Sequence, residues 1–228
     1  MPDIKVIETR DGSSSLLIPE MNETYHSTHG AITESEYVFL KMGVDHFSET
    51  RPDQKEIEIL EIGFGTGLNA WLTALAARQL KIKFTSIEKF PLEASLIDQL
   101  NYKEKKESEE SKRIFEGIHS AEWEKECQIT DEFHLTKIKT DINEFNPSAE
   151  SFDLIYFDAF APSKQPEMWS QEVLKKMYDL LKTGGVFVTY CAQGQFKRDL
   201  KAVGFVTEEL EGPPGKKEMT RGTKLQPN

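Results

Sequence analysis

The chain has 228 residues, 38% of them hydrophobic and 29% charged, with a formal net charge of −11. That length supports one large core or at most two small ones, and the acidic balance excludes a protein that coats nucleic acid through charge alone. Its two cysteines, Cys127 and Cys191, belong to no paired motif, which argues against a disulfide framework or a structural zinc.

No apolar run approaches the roughly 18 residues needed to span a bilayer. Met1 to Lys5 lack the basic-then-apolar start of a signal peptide, so a cytoplasmic setting is expected. Charge is uneven: Lys182 to Asn228 carry eight Lys/Arg against five Asp/Glu, which leaves −14 for residues 1–181. An acidic body with a mildly basic end can still grip one particular RNA.

Residues 1–50 read as an N-terminal extension and 51–228 as the main domain. Asp11-Gly12 separates two strand-like runs, Ile4 to Thr9 and Ser14 to Ile18, and predicts a hairpin turn. Ser35 to Met42 is expected to be a helix. From about Glu56 the pattern alternates strand and helix, the mark of parallel βαβ units. Ile57 to Ile62 is the first core strand, Thr66 to Leu80 its helix and Ile82 to Glu88 the second strand. Leu92, Leu96, Ile97 and Leu100 mark one face of a helix starting near Pro91. Residues 101–113 carry mixed charge and almost no apolar content, and are expected to be a solvated helix end or loop.

Phe133 to Thr140 reads as the third strand. Phe152 to Ala159, nearly all apolar, is a central strand buried on both faces. A helix over Glu167 to Leu181 is predicted to end at Thr183-Gly184-Gly185. Val186 to Cys191, a helix over Gln193 to Val203, and Phe205 to Leu210 follow, with a seventh, antiparallel strand within residues 211–228. The expected fold is α/β and Rossmann-like, with a seven-stranded, mostly parallel sheet and a β-rich N-terminal extension.

The most informative stretch is Glu61-Ile62-Gly63-Phe64-Gly65-Thr66-Gly67-Leu68-Asn69. A strand, a glycine turn and a helix form the nucleotide-binding corner of an open α/β sheet. Dinucleotide folds space their glycines G-x-G-x-x-G, with a pyrophosphate at the helix N-terminus. Here the spacing is E-x-G-x-G-x-G, and Glu61 would repel a pyrophosphate. S-adenosyl-L-methionine, cationic and without phosphate, suits it. Glu88 ends the second strand, 21 residues beyond Gly67, where a carboxylate can accept the ribose hydroxyls. Asp141 ends the third strand, placed to accept from the adenine amino group or to start a turn. Glu61, Gly63, Phe64, Gly65, Thr66, Gly67, Asn69, Glu88 and Asp141 are the cofactor candidates.

Asp158 closes the fourth strand on the edge where such sheets bind ligands, with Phe160 and Pro162 shaping a wall beside it. Methyl transfer is an in-line displacement that depends on positioning, and a carboxylate there can orient an amine. A carboxylate also favours the unreactive ammonium. Either the amine arrives neutral or Asp158 passes a proton to solvent.

At this point the chain resembles the methyltransferase half of MnmC and its stand-alone, MnmD-like relatives. The resemblance spans Tyr25-His26-Ser27, Gly30-Ala31, Tyr37-Val38-Phe39-Leu40 and Glu61 to Asn69. It continues through Phe157 to Trp169 and ends with Gly212 to Gly222. It implies a class I S-adenosylmethionine-dependent fold and methylation of the amine of 5-aminomethyl-(2-thio)uridine at the tRNA wobble position. Glu61, Gly63, Gly65, Glu88 and Asp141 would then hold the cofactor, and Asp158 the substrate amine. RNA would rest on local basic groups: Lys164, Lys197, Arg198, Lys216, Lys217 and Arg221, with Lys216 to Arg221 favoured. Bifunctional members carry a flavin-dependent oxidase, of which residues 1–228 hold no second fingerprint. If the chain works alone, a separate oxidase or pathway supplies the aminomethyl group.

His26 and His29 are spaced H-x-x-H without a completing acidic or thiol set, so no metal is expected; a lid over the cofactor is their other role. Trp71, Trp123 and Trp169 read as core or hinge residues, Trp169 being the best placed to stack on a base. Three rivals stand beside this reading. Aminopropyl transferases share the architecture, but their G-G-G-D-G and D-S-S-D-P loops are matched by neither Gly63 to Gly67 nor Asp158 to Pro162. A small-molecule, polyamine-like amine methyltransferase suits the negative charge. A non-catalytic binding protein would have no physical need for the acidic set.

Overall fold

The computed structural model describes residues 3–77 and 80–226. An N-terminal antiparallel sheet, β1 (Lys5–Glu8), β2 (Ser14–Ile18) and β3 (Glu23–Thr24), precedes a long helical stretch. That stretch runs without a break through α1 (Ala31–Ser35), a wide i→i+5 segment (Glu36–Asp45) and α2 (His46–Thr50). It packs on the main sheet at Gly43, which faces Tyr156, Val188 and Leu154.

Next come β4 (Glu56–Ile62), α3 (Leu68–Ala76), β5 (Lys81–Glu88), α4 (Ala94–Ile97), α5 (Tyr102–Lys105) and α6 (Glu109–Ser120). β6 (Glu126–Gln128), β7 (Phe133–Lys139), β8 (Phe152–Phe157), a 3-10 turn (Pro166–Trp169) and α7 (Gln171–Leu180) follow. The chain closes with β9 (Leu181–Thr189), α8 (Gly194–Ala202), β10 (Val206–Glu211) and β11 (Glu218–Thr223). The main sheet has the order β10-β11-β9-β8-β4-β5-β7-β6. β9, β8, β4, β5 and β7 pair in parallel, whereas β11 is antiparallel to both its neighbours and β6 antiparallel to β7.

β5 lies on one side of β4 and β8 on the other, so the order reverses at β4. The crevice beyond its carboxyl end is where an open α/β sheet takes ligands. One apolar cluster fills the face under α3, α6 and the N-terminal helical stretch. A second lies under α7 and α8. Burial on both faces explains the continuous apolar character of β8, every residue of which is buried.

The structure departs from the expected elements at several points. An eighth strand, β6, adds to the expected seven; at three residues, Glu-Cys-Gln, it is too short and polar to show a period. The helix expected near Pro91 shrinks to the single turn of α4. Residues 101–113 are not merely solvated: Tyr102 is fully buried and stacks on Trp71 at 6.0 Å between ring centroids. Ser108 caps α6, whose Ile114, Phe115 and Ile118 are buried. The helix expected to end at Gly184-Gly185 stops at Leu180, and those glycines form an irregularity inside β9, where Leu154 pairs with Val186 after Phe152 pairs with Leu181. The expected first helix began at Thr66 and ran to Leu80; α3 begins at Leu68, and Arg78 and Gln79 of that expectation fall outside the described residues.

Candidate active site

The glycine turn between β4 and α3 has three residues that only glycine suits. Gly63, Gly65 and Gly67 have φ of 93°, 48° and 70°, a region in which a Cβ is strained. A Cβ on Gly63 would stand 3.0 Å from the Asp158 carbonyl oxygen, and one on Gly65 3.2 Å from the Tyr25 ring. On Gly67 it would lie 2.9 Å from His119 and 3.0 Å from Phe64. Backbone N–H groups of Gly63 and Phe64 donate to Ile87, which binds the turn to β5 and leaves its far side facing the crevice.

Four acidic residues sit at successive strand ends around this turn. Glu61, on β4, is fully buried. One carboxyl oxygen accepts from the Ser86 hydroxyl, and the other has no hydrogen-bond partner among the described residues. Burial, aided by the nearby Asp158, pushes its pKa well above the ordinary carboxylate range. Asn69, on the first turn of α3, donates its amide to Asp158 Oδ2 at 2.9 Å, and its own carbonyl oxygen is buried without a partner. Glu88 ends β5; its Oε2 accepts from Gly65 N at 3.1 Å and its Oε1 from Phe90 N at 2.8 Å.

Asp158 follows β8 directly, its N–H donating to Ile62. Burial pushes its pKa up to about 7, with the Asn69 hydrogen bond opposing, Glu34 adding to the rise and Lys216 countering it. The loop beyond is braced: Trp169 Nε1 donates to the Phe160 carbonyl at 2.8 Å, Gln165 accepts from Phe160 N, and Tyr190 hydroxyl donates to the Ala159 carbonyl at 2.8 Å. Trp169 is therefore a buried prop and not a surface for stacking a base. Pro162 is half-buried in the same loop.

The N-terminal segment roofs the crevice. Tyr25 meets Phe160 edge-on at 5.1 Å and covers Gly65. Burial and the charge of Glu88 push its hydroxyl up to about 12. His26 lies beside Ser15 and within 3.4 Å of the Thr66 hydroxyl; burial holds its pKa down at about 4, so its ring is neutral. His29 packs on Gly215. Among the described residues no cluster of three or more His, Cys, Asp or Glu is arranged to hold a metal, and no helix is long and apolar enough to cross a membrane.

Two expected placements need qualification. Asp141 stands at the end of β7, but its carboxylate pairs with Lys89 at 2.8 Å and accepts from Asn143 N. The Lys89 bond chiefly holds its pKa below the ordinary value, and the Asn143 contact is the turn-starting geometry of an aspartate. The basic groups expected to meet RNA are mostly engaged within the protein. Arg221 is buried and fork-bonded to Glu208, with a further bond to the Met42 carbonyl, so it cannot also reach a phosphate. Lys197 pairs with Glu209 and Glu218, and Arg198 donates to Gln195. Lys164 donates to the Met21 carbonyl at 2.7 Å, and Lys216 pairs with Glu34 at 2.7 Å. Lys217 is exposed, and its side chain makes no bond among the described residues. A sequence lists charges but not which of them a fold pairs. Glu34 and Tyr190 escaped the sequence reading, though an acidic residue inside Ala31 to Ser35 and a tyrosine ending an apolar strand were the visible signals.

The geometry fits S-adenosylmethionine: a cradle that a Cβ would fill, and two buried side-chain oxygens without partners among the described residues, on Glu61 and Asn69. Comparisons agree. Residues 102–225 match the family model described as S-adenosyl-L-methionine-dependent methyltransferase. The chain is 30% identical over 216 residues to the tRNA 5-methylaminomethyl-2-thiouridine biosynthesis bifunctional protein MnmC of Marinomonas sp. (strain MWYL1), covering 89% of this chain and 31% of that protein. It is 32% identical to the protein of the same name from Cupriavidus necator, covering 89% of this chain and 32% of that one. The chain thus spans about a third of the length of these relatives. The crystal structure of MNMC2 from Aquifex aeolicus superposes with a TM-score of 0.80 at 25% identity, over 100% of this chain and 72% of that one. A probable spermidine synthase from Corynebacterium glutamicum, at 16% identity, covers 99% of this chain and 78% of that one with a TM-score of 0.58 and shares the fold alone. With the glycine cradle, the acidic residues at the strand ends and the family match in agreement, this chain belongs to the S-adenosyl-L-methionine-dependent methyltransferases.

Proposed function

We propose that this methyltransferase acts on tRNA, methylating the amine of 5-aminomethyl-(2-thio)uridine at the wobble position of the anticodon loop. The observation that carries the reading is Asp158: a carboxyl at the ligand edge of the sheet, fixed by Asn69, with its pKa pushed up to about 7. In this reading the Gly63 to Gly67 turn, Glu61, Asn69 and Glu88 hold the cofactor, and Asp141 joins them once its bond to Lys89 is exchanged for the adenine amino group. S-adenosylmethionine, when bound, supplies an electrophilic methyl group on a sulfonium.

The protein's task is to bring a neutral amine there in line. An ordinary carboxylate would hold the amine as its ammonium, which has no lone pair to attack with. Burial makes Asp158 a better proton acceptor, so Asp158 Oδ can take the amine's proton and release it to solvent. Phe160 and Tyr25 close the apolar side of the approach, and the basic groups with charge available to a phosphate are Lys217, which is exposed, and Lys164 and Arg198, whose bonds go to neutral partners. The MnmC names of the relatives and the 0.80 superposition on MNMC2 support this substrate.

The test is to incubate the protein and S-adenosylmethionine with tRNA carrying 5-aminomethyl-2-thiouridine, digest the RNA and identify the nucleosides by mass. Conversion of the wobble nucleoside to 5-methylaminomethyl-2-thiouridine is expected. An unchanged nucleoside alongside methylation of a free polyamine would overturn the tRNA assignment.

A further inference from the structure

Two charges act on Asp158 without a hydrogen bond to it. Glu34 comes from α1 and its carboxyl is 9% exposed. One oxygen accepts from Ser27 N at 2.8 Å and the other receives the Lys216 ammonium at 2.7 Å. Lys216 comes from the loop joining β10 and β11, and its Nζ stands 3.6 Å from the centre of the Tyr190 ring. Tyr190 follows β9 and donates its hydroxyl to the Ala159 carbonyl, next to Asp158. An unbroken chain of contacts thus runs from the N-terminal roof, through the C-terminal loop, to the backbone that carries Asp158. A lysine meant for a phosphate points to water; this one is 31% exposed and seated on a buried carboxyl and an aromatic face.

We propose that Glu34 and Lys216 are positioning residues for methyl transfer, which hold the Asp158 loop through Tyr190 and, by their opposed charges, set how readily Asp158 carries a proton. The proposal rests on the reading of Asp158 as the group that faces the amine. The polar and titratable groups facing Asp158 are the Asn69 amide from α3, Glu61 from β4, Tyr190 after β9, Glu34 from α1 and Lys216 from the C-terminal loop. Burial pushes the Glu61 pKa up, and the charges that act on Asp158 are those of Glu34 and Lys216. The Tyr190 hydroxyl is neutral, held far above its ordinary pKa by burial, with Asp158 adding to the rise. That leaves Glu34, which favours the protonated Asp158, and Lys216, which favours the carboxylate. Removing either one leaves the other uncompensated, and the two removals act in opposite directions.

The experiment titrates the Asp158 carboxyl in the substrate-free protein by NMR of carboxyl-labelled aspartate, assigned with Asp158→Asn. Lys216→Met is expected to raise the Asp158 midpoint by about one pH unit and Glu34→Gln to lower it by about as much, with the double variant returning near the wild type. If Lys216→Met does not fold, Glu34→Gln alone carries the test, with the downward shift expected. Midpoints that stay put, or move the same way in both single variants, overturn the proposal. So does a Lys216→Met protein with an unmoved midpoint whose tRNA binding is weaker and less salt-dependent, the signature of a phosphate contact. The titration needs neither RNA nor cofactor, so a wild type that fails to methylate tRNA counts against the substrate assignment and leaves this result readable.

Discussion

Asp158 is costly to the fold in its charged form. Its folded pKa, near 7, lies above the unfolded value near 4. Between those two values the native state binds more protons than the unfolded chain, so stability falls as pH rises from about 4 to about 7 and stays low above that. Asp158→Asn keeps the shape and removes the charge. It is expected to raise Tm at pH 8 by about 2–4 °C, the change that roughly 1 kcal/mol produces in a domain of this size, and the gain should shrink as pH is lowered toward 4. A calorimetric Tm for the variant that falls below wild type at pH 8 would contradict this. Glu61 and Asp158 stand out in the sequence because each is an acidic residue at or directly beyond the last turn-side positions of an apolar strand, a combination that burial penalises unless it serves a purpose. Arg221 and Lys216 were legible as charges and misleading as contacts, because their partners Glu208 and Glu34 lie 13 and 182 positions away.

The elements that position the site are tied by polar side chains that no periodicity reveals. The N-terminal hairpin caps the long helical stretch: Ala31 N donates to the Thr9 hydroxyl, Ile32 N to the Ser13 hydroxyl and Thr33 N to the Asp11 carboxylate. Three of the four N–H groups that open a helix are thereby satisfied from another element. Burial tends to raise the pKa of Asp11, but hydrogen bonds from Ser13, Thr33 and Thr9 outweigh it and hold the carboxyl well below its ordinary value. Its contribution is thus fully present above pH 4 and lost as the solution is acidified further. Asp11→Ala is expected to cost about 1–2 kcal/mol at pH 7, in the range of a lost helix cap, and to speed proteolysis of the hairpin. A denaturant midpoint equal to wild type would contradict it. Asp11-Gly12 was legible as a turn; its second role, gripping a helix 22 residues on, was not. The same limit explains Gly184-Gly185, where a helix-ending pattern in sequence turned out to be an irregularity in β9.

Over the whole molecule the sheet does most of the placing. Its order reverses at β4, so the turn at Gly63, Glu88 at the end of β5 and Asp158 at the end of β8 converge on one crevice. That convergence follows from parallel βαβ topology, which the alternating pattern after Glu56 made legible. The roof from Tyr25 to Gly30 and the wall from Gly212 to Lys217 join it only because long-range pairing returns both ends of the chain to the same edge. The sheet's own edges are guarded, by three glutamates on β10 and by the brevity of β6. His26 and His119, both held neutral by burial with pKa near 4, set the acid limit. Their contribution is present above pH 6.5 and lost as pH falls through about 4, so acid unfolding should be milder in His26→Phe than in wild type, read as the midpoint of an acid titration followed by circular dichroism. An unchanged midpoint would remove His26 from that role.

The central claim is that Asp158 prepares an amine for methyl transfer. It is tested most directly by single-turnover transfer from tritiated S-adenosylmethionine to tRNA bearing 5-aminomethyl-2-thiouridine, measured across pH for wild type and Asp158→Asn. The wild-type rate should rise through a titration near pH 7. The variant should bind the cofactor normally, lose that titration and run about 10²–10⁴-fold slower, the range for a lost proton acceptor. A variant that transfers methyl groups at the wild-type rate, with the same pH profile, would contradict the account.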